Sequence, residues 1–217
     1  MITPAIETLG DGCLSIVFEE RIAPDVNSRC VALAGEIQQR QLTGVRDVVA
    51  GFYTVAVYFD SVRGKRNDIR SEVERIIAGL RTARVNDDTD PVMIPVKYGG
   101  ADGPDLSVIA NFAGCSEEDA IRLHTEPEYR VYMLGFLPGF AYLGTVNQRI
   151  AMPRLESPRL KVLAGSVGIA GVQTGVYPCE SPGGWRIIGR TMMKMFDVSR
   201  DHPSLLRPGD RVKFVAA

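Results

Sequence analysis

Glycine and proline are spread unevenly along the chain, and this limits its possible folds more than any other feature. Residues 1–88 hold 7 Gly and 2 Pro, whereas residues 89–217 hold 15 Gly and 11 Pro. The first stretch can sustain helices. The second is interrupted every few residues, as a turn-rich all-β domain is. The chain's 217 residues make one large domain or two small ones. The acidic stretch Asp87-Asp88-Thr89-Asp90-Pro91 falls where the composition changes and reads as a solvated linker. The expected division is therefore 1–88 and 89–217.

Periodicity predicts β-β-α-β-β-α for the first stretch. Ala5–Leu9 and Cys13–Phe18 flank the hairpin signal Gly10-Asp11-Gly12. A helix is expected from Asp25 to Gln39, with Val26, Cys30, Leu33, Ala34 and Ile37 on one face. Val45–Ala50 follows, then Tyr53–Phe59 with strand-like alternation. A second helix, capped by Asn67 or Asp68, carries Ile69, Val73, Ile76, Ile77 and Leu80 at spacings of three and four. Both helices would pack on one face of a small antiparallel sheet. No chemistry is visible in this half.

In the second stretch Val92–Val96 reads as a strand, followed by helices near Pro104–Phe112 and Ser116–His124, the latter opened by Ser116-Glu117-Glu118-Asp119. Strands are then expected at Tyr129–Phe136, Lys161–Ala164, Val167–Gly171, Trp185–Gly189, Met192–Phe196 and Arg211–Val215. That spacing suits a closed or nearly closed β-barrel.

Several functional classes are excluded at this level. A net charge of −1 gives no basis for general nucleic-acid binding, which rests on clustered Lys and Arg. No apolar run approaches the ~18–20 residues that span a bilayer. The start, Met1-Ile2-Thr3-Pro4-Ala5, lacks the regions of a signal peptide. Cys13, Cys30, Cys115 and Cys179 are scattered, so reduced thiols and a cytoplasmic location are expected. His124 and His202 are the only histidines, and neither has a partner at metal-ligand spacing, so no metal site is expected. His124 reads as a partner for a helix C-terminus. A self-contained catalytic set is not visible.

Local charge says more than the total. Residues 87–128 carry ten acidic side chains against Lys97 and Arg122. Between Arg149 and Lys194, seven basic residues (Arg149, Arg154, Arg159, Lys161, Arg186, Arg190, Lys194) face only Glu156 and Glu180. Two readings stand open for the basic stretch: ordinary surface charge, or an anion-binding wall of guanidinium groups among glycine turns.

Three segments could hold a site. Gly135-Phe136-Leu137-Pro138-Gly139-Phe140-Ala141-Tyr142-Leu143-Gly144 is either a tight corner with core aromatics or a rigid loop offering rings to a ligand or partner. Ala164–Gly175 contains Ser166, Gln173 and Thr174 among glycines, but no Gly-Lys-[Ser/Thr] closes it and no helical run follows, which argues against a Walker A loop. It is either a ligand-contacting strand pair or one whose glycines permit close backbone approach. In Ser181–Thr191 the only tryptophan, Trp185, lies between a flexible turn and Arg186, either as a core residue or as a pocket wall.

These segments, together with Tyr98-Gly99-Gly100, Gly103-Pro104-Asp105-Leu106 and the closing Leu205-Leu206-Arg207-Pro208-Gly209-Asp210-Arg211-Val212, closely resemble the KipI/allophanate hydrolase subunit 1 family. The resemblance covers essentially the whole chain and is strongest from Pro95 onward. It implies an α+β fold: a small N-terminal α/β-sandwich domain followed by a cyclophilin-like β-barrel domain. It also implies a hetero-oligomer with two further components, one KipA-like and one LamB/YcsF-like, hydrolysing 5-oxo-L-proline to L-glutamate with ATP. Mg-ATP would act in the assembled complex, and this chain alone would hold none firmly. Within that implied activity, Arg154, Arg159 and Arg190 are the candidate catalytic contacts to phosphate or carboxylate. Tyr142, Ser166, Gln173 and Thr174 are candidate substrate contacts, and Phe136, Pro138, Phe140 and Trp185 a pocket or partner loop. The family also admits two alternatives: inhibition of a sensor histidine kinase, and a carboxyltransferase-like half-site of urea or allophanate metabolism.

Overall fold

A computed structural model of the chain describes residues 3–80 and 90–217. The chain divides into two compact units, Met1–Asn86 and Asp87–Ala217. The boundary expected after residue 88 lies outside the described residues, as do Asp87, Asp88 and Thr89 of the acidic stretch. Among the described residues, no helix is long and apolar enough to cross a membrane, and all four cysteines are free thiols.

The first unit follows the predicted order. Strands β1 (Ala5–Thr8), β2 (Cys13–Val17), β3 (Val45–Ala50) and β4 (Thr54–Phe59) form one antiparallel sheet in the order β1-β2-β4-β3. Helix α1 (Pro24–Gln39) starts with proline in its first turn, where the missing N–H costs nothing. It buries Val26, Cys30, Leu33, Ala34 and Ile37, the predicted face. Helix α2 (Arg66–Gly79) buries Ile69, Val73 and Ile76 against the same core. Its cap differs from expectation. The helix begins at Arg66, so Asn67 and Asp68 fall inside it, and Lys65 at the N-cap has no side chain able to accept a backbone N–H.

The second unit is a closed barrel of seven strands. In barrel order these are β10 (Gln173–Val176), β7 (Ala141–Gly144), β6 (Tyr129–Leu134), β13 (Arg211–Ala216), β5 (Val92–Tyr98), β12 (Arg186–Arg190) and β9 (Ser166–Ala170). Only β13 and β5 run parallel; the other pairings are antiparallel. Strands β8 (Arg159–Val162) and β11 (Ser181–Gly183) form a separate two-stranded ribbon. Helix α3 (Leu106–Ala113) ends at Gly114, whose φ of +62° is the left-handed conformation that glycine adopts without strain. Helix α4 (Glu117–Thr125) is capped as the sequence indicates, with Ser116 Oγ accepting from Asp119 N at 3.1 Å.

Met192–Phe196 is not a strand. Thr191 Oγ1 turns the chain there by accepting from Met193 N, Lys194 pairs with Asp197, and only Phe196 makes a lone bridge, to Ser204. Met195 is buried while Met192 is 89% exposed, so the apolar run covers part of the core and leaves one methionine in solvent. Strands β7, β10 and β11, which periodicity alone does not indicate, complete the architecture.

Alternation gives the barrel two differently furnished faces. Ala141 and Leu143 of β7, Val167 and Ile169 of β9, Ile188 of β12 and Phe214 of β13 join one core with α3 and α4. Phe140 and Ile187, with half-buried Tyr142 and Trp185, lie on the opposite side and form a second, aromatic cluster with Val162 and Tyr177.

Candidate functional site

The aromatic cluster is the place where the aromatic members of the predicted site, Phe136, Phe140, Tyr142 and Trp185, come together. Phe140 is its hub, 1% exposed, with ring centroids at 5.0 Å from Tyr142, 5.2 Å from Tyr177, 5.3 Å from Trp185 and 5.6 Å from Phe136. All four contacts are edge-to-face, the arrangement the ring quadrupoles favour. β10 makes room for the hub with glycine. A Cβ at Gly175 would stand 2.7 Å from Ala141 O and 3.2 Å from the Phe140 ring.

Phe136 is the exposed ring of this set, at 60% accessibility with φ of +66°. A bulky side chain in the left-handed region costs of order 1–3 kcal/mol and persists only where surrounding contacts hold it. The loop is held by Phe140 N bonding Leu137 O at 3.0 Å and Gly135 N bonding Phe140 O at 3.1 Å. Pro138 lies exposed on the same loop. Chain geometry thus spends free energy to present one aromatic ring to solvent.

The predicted anion wall is not assembled as a wall. Arg159 Nη2 donates to Asp105 Oδ1 at 2.8 Å and its Nη1 to Trp185 O at 3.4 Å. Asp105 is buried, and its other oxygen accepts from Ile187 N at 2.6 Å. Arg159 therefore locks β8 and β12 to the start of α3. Arg190 Nε donates to Ala164 O at 2.8 Å. Arg149 donates to Ala113 O, Lys161 pairs with Glu180, Arg186 donates to Pro153 O and Lys194 pairs with Asp197. Arg154 is different: it is exposed, and among the described residues it has no hydrogen-bond or ion-pair partner. It lies close enough to Tyr142 to lower that phenol's pKa, against the stronger upward push of burial.

Ser166, Gln173 and Thr174 do not converge. Gln173 pairs with Ala170 beside the β9–β10 turn, whereas Ser166 lies at the far end of that hairpin, beyond the Val176–Val167 pair. Gln173 shares a face with neither of its sequence neighbours. Its Nε2 is buried without a partner among the described residues. Thr174 points into the barrel, fully buried, and bonds His124.

His124 overturns its expected role at a helix C-terminus. Its Nδ1 is 2.8 Å from Tyr98 Oη and its Nε2 is 2.9 Å from Thr174 Oγ1. The ring also lies 4.6 Å from Phe214 and 5.5 Å from Tyr129. These partners come from β5, β10, β13 and β6, which places the imidazole inside the barrel. Burial pulls its pKa down to about 3, so it is neutral and cannot complement a helix dipole. The sequence pattern does not mark Tyr98, Tyr129 and Tyr177 as site residues. The first lies in the quoted Tyr-Gly-Gly motif, but its partner is 26 residues away, so no local signal reveals it.

Among the described residues no cluster of His, Cys, Asp or Glu is suited to a metal ion, and His124 with its Thr174 and Tyr98 hydroxyl partners is enclosed in the barrel, away from the aromatic face. The face offers stacking surfaces and one uncommitted guanidinium, which suits a flat, negatively charged small molecule or a partner side chain. The fold and site together define a closed seven-stranded barrel protein with a partly exposed aromatic face.

The chain belongs to the family of the carboxyltransferase domain, subdomain C and D, whose model matches residues 4–206. The resemblance read from the motifs thus holds. The chain is 43% identical to the B-type subunit of 5-oxoprolinase from Bacillus subtilis (strain 168), over 97% of this chain and 91% of that one. It is 56% identical to the corresponding 5-oxoprolinase B-type subunit of Escherichia coli O157:H7 over 124 residues, covering 57% of each. The solved structure of TTHA0988 superposes with a TM-score of 0.84 at 38% identity, covering 94% of this chain but only 40% of that longer one.

Proposed function

We propose that this chain is the B-type subunit of an ATP-dependent 5-oxoprolinase, working in the cytoplasm with a KipA-like partner and a LamB/YcsF-like partner. Near full-length identity of 43% to the Bacillus subtilis protein carries the reading. The longer TTHA0988 chain, of which this chain matches 40% of the length, supports a reading in which such a chain works with further polypeptide.

A lactam is a resonance-stabilised amide and a poor electrophile, so opening it benefits from phosphorylating its oxygen with ATP. The predicted arginines of the barrel unit do not fit a triphosphate. Arg159 and Arg190 are committed to internal acceptors, and the sequence has no Gly-Lys-[Ser/Thr] phosphate loop. The nucleotide is therefore assigned to the partner proteins, and no step involving it is placed here. This chain contributes the substrate-facing wall. Phe136, Tyr142 and Trp185 pack against the ring, and Arg154 pairs with its carboxylate in a charge-assisted bond. The barrel is of the cyclophilin-like type.

The test is reconstitution. Glutamate and ADP release from 5-oxoproline are expected only when this chain is mixed with both partners, and Arg154→Ala is expected to raise KM about tenfold or more. An inactive full mixture would overturn the reading. A second reading, a carboxyltransferase-like half-site of urea or allophanate metabolism, is favoured by the family's description alone. Carboxyl transfer by the mixture, with no glutamate formed, would select it.

A further inference from the structure

The N-terminal unit, in which the sequence shows no chemistry, contains a cleft of about 700 Å³. It lies between the Arg40–Thr43 segment after α1 and the part of α2 that runs as far as Arg75. Its walls carry four cations, Arg40, Arg63, Lys65 and Arg75, against Asp68 and Glu72.

The pairing of these groups leaves a positive surplus. Arg75 is bonded to Glu72 and is neutralised. Arg63 stands 3.8 Å from Asp60, but that carboxylate already accepts from Arg46 and from Val62 N. The side chains of Arg40 and Lys65 have no ion-pair or hydrogen-bond partner among the described residues. Asp68 offsets one charge, which leaves the cleft with an excess of about two positive charges. Thr43 and Ser71 add hydroxyl donors on opposite walls.

The cleft is also preformed. Gly44 and Gly64 bring two backbone segments into contact: a Cβ on Gly44, at φ of +85°, would lie 2.6 Å from Gly64 Cα. The crossing is fixed by Asp60 N to Gly44 O and Gly64 N to Asp60 O, each at 2.8 Å. The turn bearing Arg40 and the turn bearing Arg63 and Lys65 are thereby held side by side, with Ile69 packed beneath Gly64. A volume of this size falls in the range of small-molecule sites, roughly 300–1,000 Å³, and is too confined for a folded partner.

We propose that this cleft binds a phosphate-bearing small molecule. A tetrahedral dianion presents enough acceptors for several cations and two hydroxyls at once, which a single carboxylate does not. Binding breaks no existing ion pair of Arg40 or Lys65, which leaves the charge-assisted bonds to outweigh the ordering of two exposed side chains.

The experiment titrates the full chain, with labelled backbone amides, against inorganic phosphate and inorganic pyrophosphate at constant ionic strength. Saturable shifts are expected at Thr43, Gly64 and Lys65, with pyrophosphate the tighter ligand. The double variant Arg40→Ala/Lys65→Ala should weaken pyrophosphate binding about tenfold or more, with an unchanged thermal midpoint because both side chains are exposed. Arg70→Ala, on α2 but paired with Glu74 outside the cleft, should leave binding unchanged. The proposal fails if those amides do not saturate below about 10 mM pyrophosphate. It fails equally if chloride gives the same shifts, or if the double variant binds as the parent does.

Discussion

The imidazole of His124 has its hydrogen-bonding capacity fully assigned by its neighbours. Thr174 gives its own proton to Gly168 O at 2.9 Å, so it must receive one from His124 Nε2. The ring is therefore the Nε2–H tautomer, and Nδ1 accepts from the Tyr98 hydroxyl. A second proton would put a charge in the barrel interior opposite a donor, and no acid is at hand to pair with it. The folded pKa of about 3 lies below the ordinary value of 6.5, so the unfolded chain binds this proton first. Stability should be flat above pH 6.5 and fall by up to about 1.4 kcal/mol per pH unit as pH drops toward 3. The depressed carboxylates, such as Asp60 and Asp119, act only lower in that range. Urea unfolding at pH 7, 6 and 5 reads the slope directly. His124→Phe keeps the aromatic packing and leaves Tyr98 Oη unsatisfied, so it should cost about 1–3 kcal/mol at pH 7 and flatten the slope between pH 6.5 and 5. A parent protein whose stability does not change across that window would refute the assignment. None of this was legible locally, because the bonds to His124 span 26 and 50 residues.

Elements were read from the sequence as well as their patterns allowed. The four strands and two helices of the first unit have apolar periodicities long enough to distinguish 2.0 from 3.6, and each formed within a few residues of expectation. β7, β10 and β11 have four, four and three residues and are rich in glycine, so they carry too little alternation to register. Met192–Phe196 has the opposite character: strand-like composition, but side-chain bonds from Thr191 and Lys194 that turn the chain instead. The site showed the same division. Phe136 and Tyr142, close to Phe140 in sequence, converged on it, whereas the arginines other than Arg154 were absorbed by acceptors that only the fold supplies, Asp105 for Arg159 and backbone carbonyls for Arg149, Arg186 and Arg190. That carboxylate joins three elements, since it holds β12 through Ile187 N and β8 through Arg159 while sitting at the start of α3. Asp105→Ala strands a buried N–H and releases a half-buried guanidinium, and should cost about 2–4 kcal/mol by chemical denaturation. Asp105→Asn can still accept from Ile187 N and should lose less. Equal losses in the two variants would show that the retained acceptor for Ile187 N contributes nothing and that the charge facing Arg159 carries the whole effect.

At the scale of the whole molecule, a net charge of −1 hides the fate of the individual charges. Six of the seven basic side chains between Arg149 and Lys194 are used inside the barrel unit, and among the described residues Arg154 of that stretch and Arg40 and Lys65 in the first unit have side chains with no ion-pair or hydrogen-bond partner. The hydrophobic cores are as separate as the charges are local. One cluster draws only on residues of the first unit and the other two only on residues of the second, with no side chain in common. The barrel closes its own hydrogen bonds strand to strand and leaves no edge among its seven strands that needs the other unit. A fragment of residues 87–217 should therefore fold by itself. It should show one cooperative thermal transition, retain the near-ultraviolet circular dichroism of its buried tyrosines, and keep the acid slope set by His124. The slope is the sharpest criterion, because it requires β5, β6, β10, β13 and α4 to enclose the ring in their native arrangement. A fragment that melted without cooperativity, or lost stability in acid no faster than its His124→Phe variant, would show that the barrel depends on the first unit for its fold.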